Sequence, residues 1–320
     1  MAGSSDSFEN TFSWSTNRSN LFRECKRKYY LNYYGYWEGW DSSSDERVQQ
    51  IYLLKKLQNR HMWIGTLVHE SIERVLKYLR SDRVLEEDEV IDQMVKRMRE
   101  EFDDSRRGKY RLDPKNTLGL TEHEYGEQID DPEWVRIREK GVRCLRNFFS
   151  CDTYQFLRSS SPEEWLAVEG DVSGGGAVAD SFEMGDLTVW LKLDLAFRRA
   201  DGEVEIVDWK TGKSDPDFRQ LYCYGYYAWK VWGEDPSDIT LTIEKLSSEE
   251  RHQEPFSFDK LTSLEDTVKD DVVDMKELLV EPEENRAREE DFPMVDNLNI
   301  CRNCRFRKIC YPEGLPESQG

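Results

Sequence analysis

Residues 191–210 read LKLDLAFRRADGEVEIVDWK, and the reading of this stretch decides the fold. Two runs rich in apolar residues flank Ala200-Asp201-Gly202, the pattern of two β-strands joined by a tight turn. Side chains alternate faces along a strand, so Asp208 and Lys210 share one face. Whether Asp194 joins them depends on the turn. If Asp201-Gly202 is a two-residue loop, opposed residue numbers sum to 403 and Asp194 stands across from Trp209. If Ala200-Asp201-Gly202 is a three-residue loop, they sum to 402 and Asp194 stands across from Asp208. Glycine in the third position adopts the left-handed backbone such a loop needs. The expectation is the three-residue loop, with Asp194 mid-strand and two carboxylates side by side.

Facing carboxylates repel by ~0.2–1 kcal/mol, and burial beside Leu193, Leu195, Ile206 and Val207 adds to the cost. A divalent cation resolves the conflict, and Mg²⁺ and Mn²⁺ are the ions that prefer carboxylate and carbonyl oxygen. Lys210 would then sit beside the ion, placed to orient a water and offset charge on a phosphate. The alternative is an ordinary exposed hairpin with surface charges. Two neighbouring segments bear on the choice. In residues 63–80, Leu67, Val68, Ile72, Val75, Leu76 and Leu79 recur at helical spacing, and His69 borders that stripe as a candidate third ligand. Gln220 and Tyr224 lie four apart on the next helical segment, on one face, within reach of Lys210 or a DNA backbone.

Strand and helix patterns alternate along the chain, which makes it an α/β protein. Strands are expected in EEWLAVEGDV, LTVWLKLDLAFRR, EVEIVDWK, ITLTIEKL and EPFSF, and helices near 13–40, 63–80, 220–232 and 261–279. Residues 1–80 form the first part of the core. Residues 81–162 read as a helical insertion, 163–280 as the core sheet with its helices, and 281–320 as an acidic linker followed by a cysteine-rich tail. Thr211-Gly212-Lys213-Ser214 imitates the end of a phosphate-binding loop, but Val207 stands where that motif needs glycine, so no ATP site is expected.

The chain has 320 residues and a net charge of −20, which repels phosphate at long range. Contact with nucleic acid must therefore use local basic patches. Two segments break the acidic trend, RECKRK (23–28) and RNCRFRK (302–308). No apolar stretch has membrane-spanning length, and residues 1–7 lack the basic and apolar regions of a secretory signal. A cytoplasmic protein without a membrane partner is the expectation.

Seven cysteines argue against a full set of internal disulfides. Cys301, Cys304 and Cys310 are grouped, and Cys25 in its basic, aromatic segment is the best candidate for a fourth thiolate. Such a set fits zinc or an iron–sulfur cluster, and spacing alone leaves both open. Either group would close a chain loop of 276 positions from Cys25 to Cys301, a strong constraint because closure entropy grows only slowly with length.

GTLVH, LKLD, IVDWKTGK and QLYCY occur in this order. Together they resemble the signatures of the RecB-like branch of the PD-(D/E)XK nuclease superfamily. Leu193 replaces the proline that names the motif. The resemblance implies a restriction-endonuclease-like mixed sheet flanked by helices. It implies His69, Asp194, Asp208 and the Trp209 carbonyl as metal ligands. Lys210, with Gln220 and Tyr224, completes the catalytic motif. One cysteine ahead of these motifs and three behind is similar to the pattern of iron–sulfur members, such as AddB-type repair subunits and CRISPR-associated exonucleases. This implies a [4Fe-4S] cluster on Cys25, Cys301, Cys304 and Cys310. The implied activity is Mg²⁺- or Mn²⁺-dependent cleavage of DNA, single-stranded or frayed at its ends. Repair, recombination or CRISPR spacer processing would be the setting, and a helicase or adaptation protein the partner. Lys26, Arg27, Arg305 and Arg307 are expected to track the DNA backbone. A non-catalytic DNA-binding or assembly subunit with the same fold is the alternative, and the intact Asp-Asp-Lys set disfavours it.

Overall fold

A computed structural model describes residues 10–168 and 180–316. In chain order its principal helices are α1 (Thr16–Glu24), α2 (Lys26–Tyr33), α3 (Glu46–Lys56), α4 (Arg60–Arg80), α5 (Glu87–Arg106), α6 (Asp131–Ser150), α7 (Asp152–Ser159), α8 (Arg219–Tyr227) and α9 (Phe258–Lys276). Among the described residues, a five-stranded sheet is formed by β1 (Trp165–Val168), β2 (Leu195–Arg198), β3 (Val204–Lys210), β4 (Ile239–Lys245) and β5 (Glu250–Pro255), side by side in chain order. By its internal contacts the chain divides into two units. One comprises Leu57–Phe182 and Trp190–Asp266, the other Met1–Lys56, Glu183–Val189 and Thr267–Gly320.

The first unit carries the sheet. Arg199 N–H donates to Glu203 O at 2.8 Å, and Gly202 has φ 95°. Ala200–Gly202 is therefore a three-residue loop. Leu195 stands across from Val207 and Arg198 across from Val204, the register whose residue numbers sum to 402. Neighbouring strands run antiparallel except β3 and β4, which are parallel. A parallel pair needs a crossover, and α8 lies in it. β3 is buried from Val204 to Trp209, as befits a central strand covered on both faces.

Helix α4 starts where the Asn59 side chain accepts from the N–H groups of His61 and Met62, satisfying two donors the first turn leaves open. Its stripe of Ile64, Leu67, Val68, Ile72, Val75 and Leu76 is buried. It shares one apolar core with Met94 of α5, Leu145 and Phe148 of α6, and Val207 and Trp209 of β3. The helices of 81–162 therefore help cover the strand that carries Asp208.

In the second unit, early and late parts of the chain meet. Arg23 pairs with Asp271 at 2.7 Å, Tyr34 donates to Asn285 at 2.9 Å, and the Tyr29 ring lies 6.1 Å from Phe292. Among the described residues no helix is long and apolar enough to cross a membrane.

Several elements differ from expectation. The single segment near 13–40 is two helices, because Cys25 is extended (φ −164°, ψ 115°) and caps α2. LTVWLKLDLAFRR is broken at residues 192–194 between Leu187–Leu191 and β2, so Asp194 stands at a strand entrance and not mid-strand. The strand expected at EPFSF runs earlier, over Glu250–Pro255. Residues 228–232 follow α8 as a π-turn, and α9 ends at Lys276. The acidic stretch after Glu281 is not an open linker. Leu279–Glu281 pairs with Arg286–Ala287, and Glu289 binds Arg27 and Arg47. The end of the strand expected from EEWLAVEGDV, beyond Val168, lies outside the described residues.

Phe148 is fully buried, 5.4 Å from the Trp209 ring and perpendicular to it. Phe148→Ala is expected to lower unfolding free energy by about 3–5 kcal/mol, read as a shift of the urea midpoint. A midpoint unchanged from wild type would show that α6 does not support β3.

Candidate active site

The hairpin and two helices bring six side chains together. Asp194, just before β2, and Asp208, inside β3, are 6% and 2% exposed. Asp194 Oδ2 accepts the Trp209 backbone N–H at 2.9 Å, and Oδ1 lies 3.5 Å from Nδ1 of His69 on α4. Lys210, two residues beyond Asp208, places Nζ 2.7 Å from Asp208 Oδ2. The ammonium also donates to Gln220 Oε1 at 3.1 Å. The Gln220 amide donates to the Tyr224 hydroxyl, which donates to the backbone carbonyl of Lys192. Helix α8 thus connects the lysine to the strand break that delivers Asp194.

The two carboxyls have opposite tendencies. Burial pushes Asp194 up, but the His69 charge and hydrogen bond, the Trp209 N–H and Lys210 outweigh it, so its pKa lies below the usual value. Burial and then the charge of Asp194 push Asp208 up to about 6, against the pull of Lys210. The Tyr224 hydroxyl is held protonated by burial and by both carboxylates, the state a donor to Lys192 requires.

A second buried acid on β3 gives the comparison that matters. Glu205 accepts from Thr242 at 2.7 Å, from Gln253 at 3.3 Å and from Arg199 Nε at 2.7 Å, and it pairs with Arg251. Its charge is fully met by the protein. Asp208 Oδ2 is buried and has, among the described residues, a single charged partner, Lys210 Nζ at 2.7 Å. Two neighbouring buried carboxylates against one ammonium leave negative charge in excess, and that is costly in a dry setting. The donor set of two carboxylates and an imidazole suits a divalent ion. Even so, among the described residues no group of three or more His, Cys, Asp or Glu side chains is spaced to hold a metal. The expected convergence of ligands is incomplete, since both oxygens of Asp194 face partners within the protein.

Sequence reasoning had no signal for the Lys192 carbonyl, because a backbone acceptor leaves no mark on residue identity. It also missed the Glu205 network. A glutamate inside an apolar strand, facing Thr242 and arginines, was the available clue.

Cys25, Cys301, Cys304 and Cys310 line one pocket of the second unit. Cys25 Sγ accepts from Lys28 N–H at 3.5 Å and Cys304 Sγ from Phe306 N–H at 3.4 Å. Burial raises the Cys304 thiol, and the charges of Cys25 and Cys301 add to this. Burial, then Cys304, pushes Cys310 up to about 12. Of the expected backbone-tracking residues, two are committed elsewhere. Arg27 donates to Phe292 O and Glu289, both at 2.8 Å. Arg305 donates to Lys55 O and Asn32 Oδ1, both at 2.9 Å. Arg307 donates to the Arg302 carbonyl, and Lys26 lies over the Phe22 ring at 5.3 Å.

The family model of the PD-(D/E)XK nuclease superfamily matches residues 13–311. The chain belongs to the PD-(D/E)XK nuclease superfamily. Its mixed sheet flanked by helices is the restriction-endonuclease-like fold, and members of the superfamily are generally nucleases that use Mg²⁺ or Mn²⁺. No curated protein matches the sequence at a significant level.

The raised pKa of Asp208 sets a pH dependence. A carboxyl held above its ordinary value stabilises the fold at low pH and loses that contribution as pH rises through about 6. In EDTA, Asp208→Asn should therefore melt at a higher temperature than wild type at pH 8, with the gap closing toward pH 4. Metal affinity has the opposite sense, because protons compete for the carboxylate. Mn²⁺ binding by calorimetry should weaken as pH falls through about 6. Melting curves that differ equally at both pH values would show that the carboxyl is not strained.

Proposed function

We propose that this protein is a Mg²⁺- or Mn²⁺-dependent deoxyribonuclease that hydrolyses phosphodiester bonds at single-stranded or frayed DNA ends. The observation that carries the reading is the buried pair Asp194 and Asp208, with the Lys210 ammonium 2.7 Å from Asp208 Oδ2. Asp194, Asp208, His69 and the Trp209 carbonyl would hold the ion. When bound, it supplies an activated water and neutralises charge on the phosphate. Asp194 Oδ1 faces His69 at 3.5 Å, and both side chains would turn from each other to the ion.

The remaining residues act on the substrate and on each other. Lys210 offsets negative charge that builds on the phosphate and orients the attacking water. Gln220 holds the ammonium in place, and Tyr224 fixes Gln220 against Lys192. Such preorganisation matters because small misplacements of reacting groups are costly in rate. The resemblance to RecB-like nucleases supports an exonuclease role in repair, recombination or CRISPR spacer processing, beside a helicase or adaptation protein.

We propose further that Cys25, Cys301, Cys304 and Cys310 hold a [4Fe-4S] cluster with a structural role. Its support is that the four cysteines line one pocket, two of them accepting backbone N–H groups, although the thiols as they stand are not at ligand spacing. Burial disfavours the thiolate form of Cys304 and Cys310, so cations must draw the protons off. Zinc is the other occupant this donor set accepts.

Wild type should degrade a labelled single strand when Mn²⁺ is present and leave it intact in EDTA. Asp208→Ala should abolish the reaction, and Lys210→Ala should slow it by about 10²-fold or more. Metal-dependent cleavage that persists in Asp208→Ala defeats the assignment. Protein purified without oxygen should be brown and carry iron and acid-labile sulfide, both lost in Cys304→Ser. Colourless protein with one bound zinc overturns the cluster.

A further inference from the structure

The second unit contains a cationic and aromatic surface with no part in the site described above. The loop after α2 folds back through three turns, with Trp37 N–H donating to Tyr34 O, Gly39 to Tyr36 O and Asp41 to Glu38 O, each at 2.9 Å. A Cβ on Gly39 would lie 2.5 Å from Val48 O and 2.6 Å from Tyr52 Cβ, so the loop is seated directly on α3. This seating collects aromatic rings. Trp37 lies 5.3 Å from Trp40, Trp40 6.1 Å from Tyr52, and Tyr52 6.4 Å from Tyr36. Trp40 remains 49% exposed, and a tryptophan left in water beside a packed ring cluster is a stacking surface.

Cations sit against Tyr36 and Tyr52 of this cluster and against the neighbouring Tyr33. Lys55 Nζ is 3.1 Å from the Tyr36 ring centre and 5.9 Å from that of Tyr33. Arg18 lies 4.2 Å over Tyr33, and Lys56 5.3 Å over Tyr52. Among the described residues neither Lys55 nor Arg18 pairs with a carboxylate. In a chain with 65 acidic and 45 basic residues, acid-free cations in one place are unusual. Two acids share this loop: Glu38, next to Trp37, is exposed, and the Asp41 carboxylate, next to Trp40, is turned onto Ser43.

We propose that Trp40, Lys55 and Arg18 form a platform for single-stranded nucleic acid, with a base stacked on Trp40 and phosphate drawn to Lys55 and Arg18. Rings beside Lys55 and Arg18, neither of which pairs with a carboxylate among the described residues, match the needs of an unpaired strand, whose bases expose their faces and whose backbone is anionic. A duplex offers neither face. Burial and then the cations Lys56, Arg305 and Arg18 lower the Lys55 amine to about 7, so an arriving phosphate relieves a repulsion that the free protein carries. The platform names the strand-holding surface of the nuclease proposed above, and rests on that reading for its biological purpose.

The test uses the full chain in EDTA with a short labelled oligothymidylate, read by anisotropy. Trp40→Ala should weaken binding by about fivefold to 150-fold, the ~1–3 kcal/mol of one stacked base. Trp40→Phe should restore part of the loss. Lys55→Gln should flatten the dependence of log affinity on log salt by about 0.7, the value for one phosphate contact on a single strand. The oligonucleotide should also quench tryptophan fluorescence in wild type more than in Trp40→Ala. Wild-type affinity and salt slope in both variants overturn the platform, as they would if the rings instead receive an acidic protein. Mn²⁺-dependent hydrolysis of bis(p-nitrophenyl) phosphate, which needs no strand-holding surface, should survive in both variants. Its absence in wild type, with oligonucleotide binding intact, would sink the nuclease reading and leave the platform standing.

Discussion

Two like charges held side by side out of water form the constraint on which the rest of this structure depends. Asp194 and Asp208 cannot both ionise cheaply in a setting 6% and 2% exposed. The protein meets part of this cost with His69, the Trp209 N–H and Lys210. Each of these arrives on a different element, and each element has a reason to be where it is. The stripe of α4 binds it to the common core with His69 on its border. β3 brings Trp209 and Lys210 on either face. α8 occupies the crossover that a parallel neighbour of β3 requires.

Glu205 shows what the fold does when it intends to satisfy an acid. On the same strand, three residues before Asp208, it gathers donors from threonine, glutamine and two arginines. Nothing comparable surrounds Asp208. The sheet therefore can neutralise a buried carboxylate, and at Asp208 it supplies one ammonium against two neighbouring acids. In the other unit, early and late chain segments meet through ion pairs and rings. Arg23 with Asp271, Arg27 with Glu289, and the rings of Tyr29, Tyr30 and Tyr34 around Phe292 make this connection.

The hairpin was the most legible part of the sequence. Alternation and Gly202 give strand face and turn length, and from these follow the neighbours of Asp208 without any coordinates. His69, Gln220 and Tyr224 could be placed because helical spacing fixes which side chains share a face. The break at residues 192–194 was not legible. LTVWLKLD is as good a strand pattern as its neighbours, and the interruption depends on Tyr224 taking the Lys192 carbonyl out of any ladder. The Cys25 kink was hidden for a similar reason, since KRKYYLNY continues the helical composition of the preceding residues. Charge alone did not reveal the partners that Arg27 and Arg305 have within the protein. A basic residue next to an aromatic segment reads as a nucleic-acid contact, yet a chain this acidic offers carboxylates and carbonyls that claim it first.

The register of the hairpin has a further consequence. Asp194 faces Asp208 because the chain counts the same number of residues from Asp194 to Arg199 as from Glu203 to Asp208, with Arg199 bonded to Glu203 at the turn. The length of the turn itself does not enter that count. A turn of another length keeps the acids facing only where Arg199 and Glu203 remain the pair that closes it. One residue gained or lost inside either strand, however, would rotate a carboxylate through to the far side of the sheet. Drift by substitution is open to this site along most of its length, while drift by insertion is confined to a single bend.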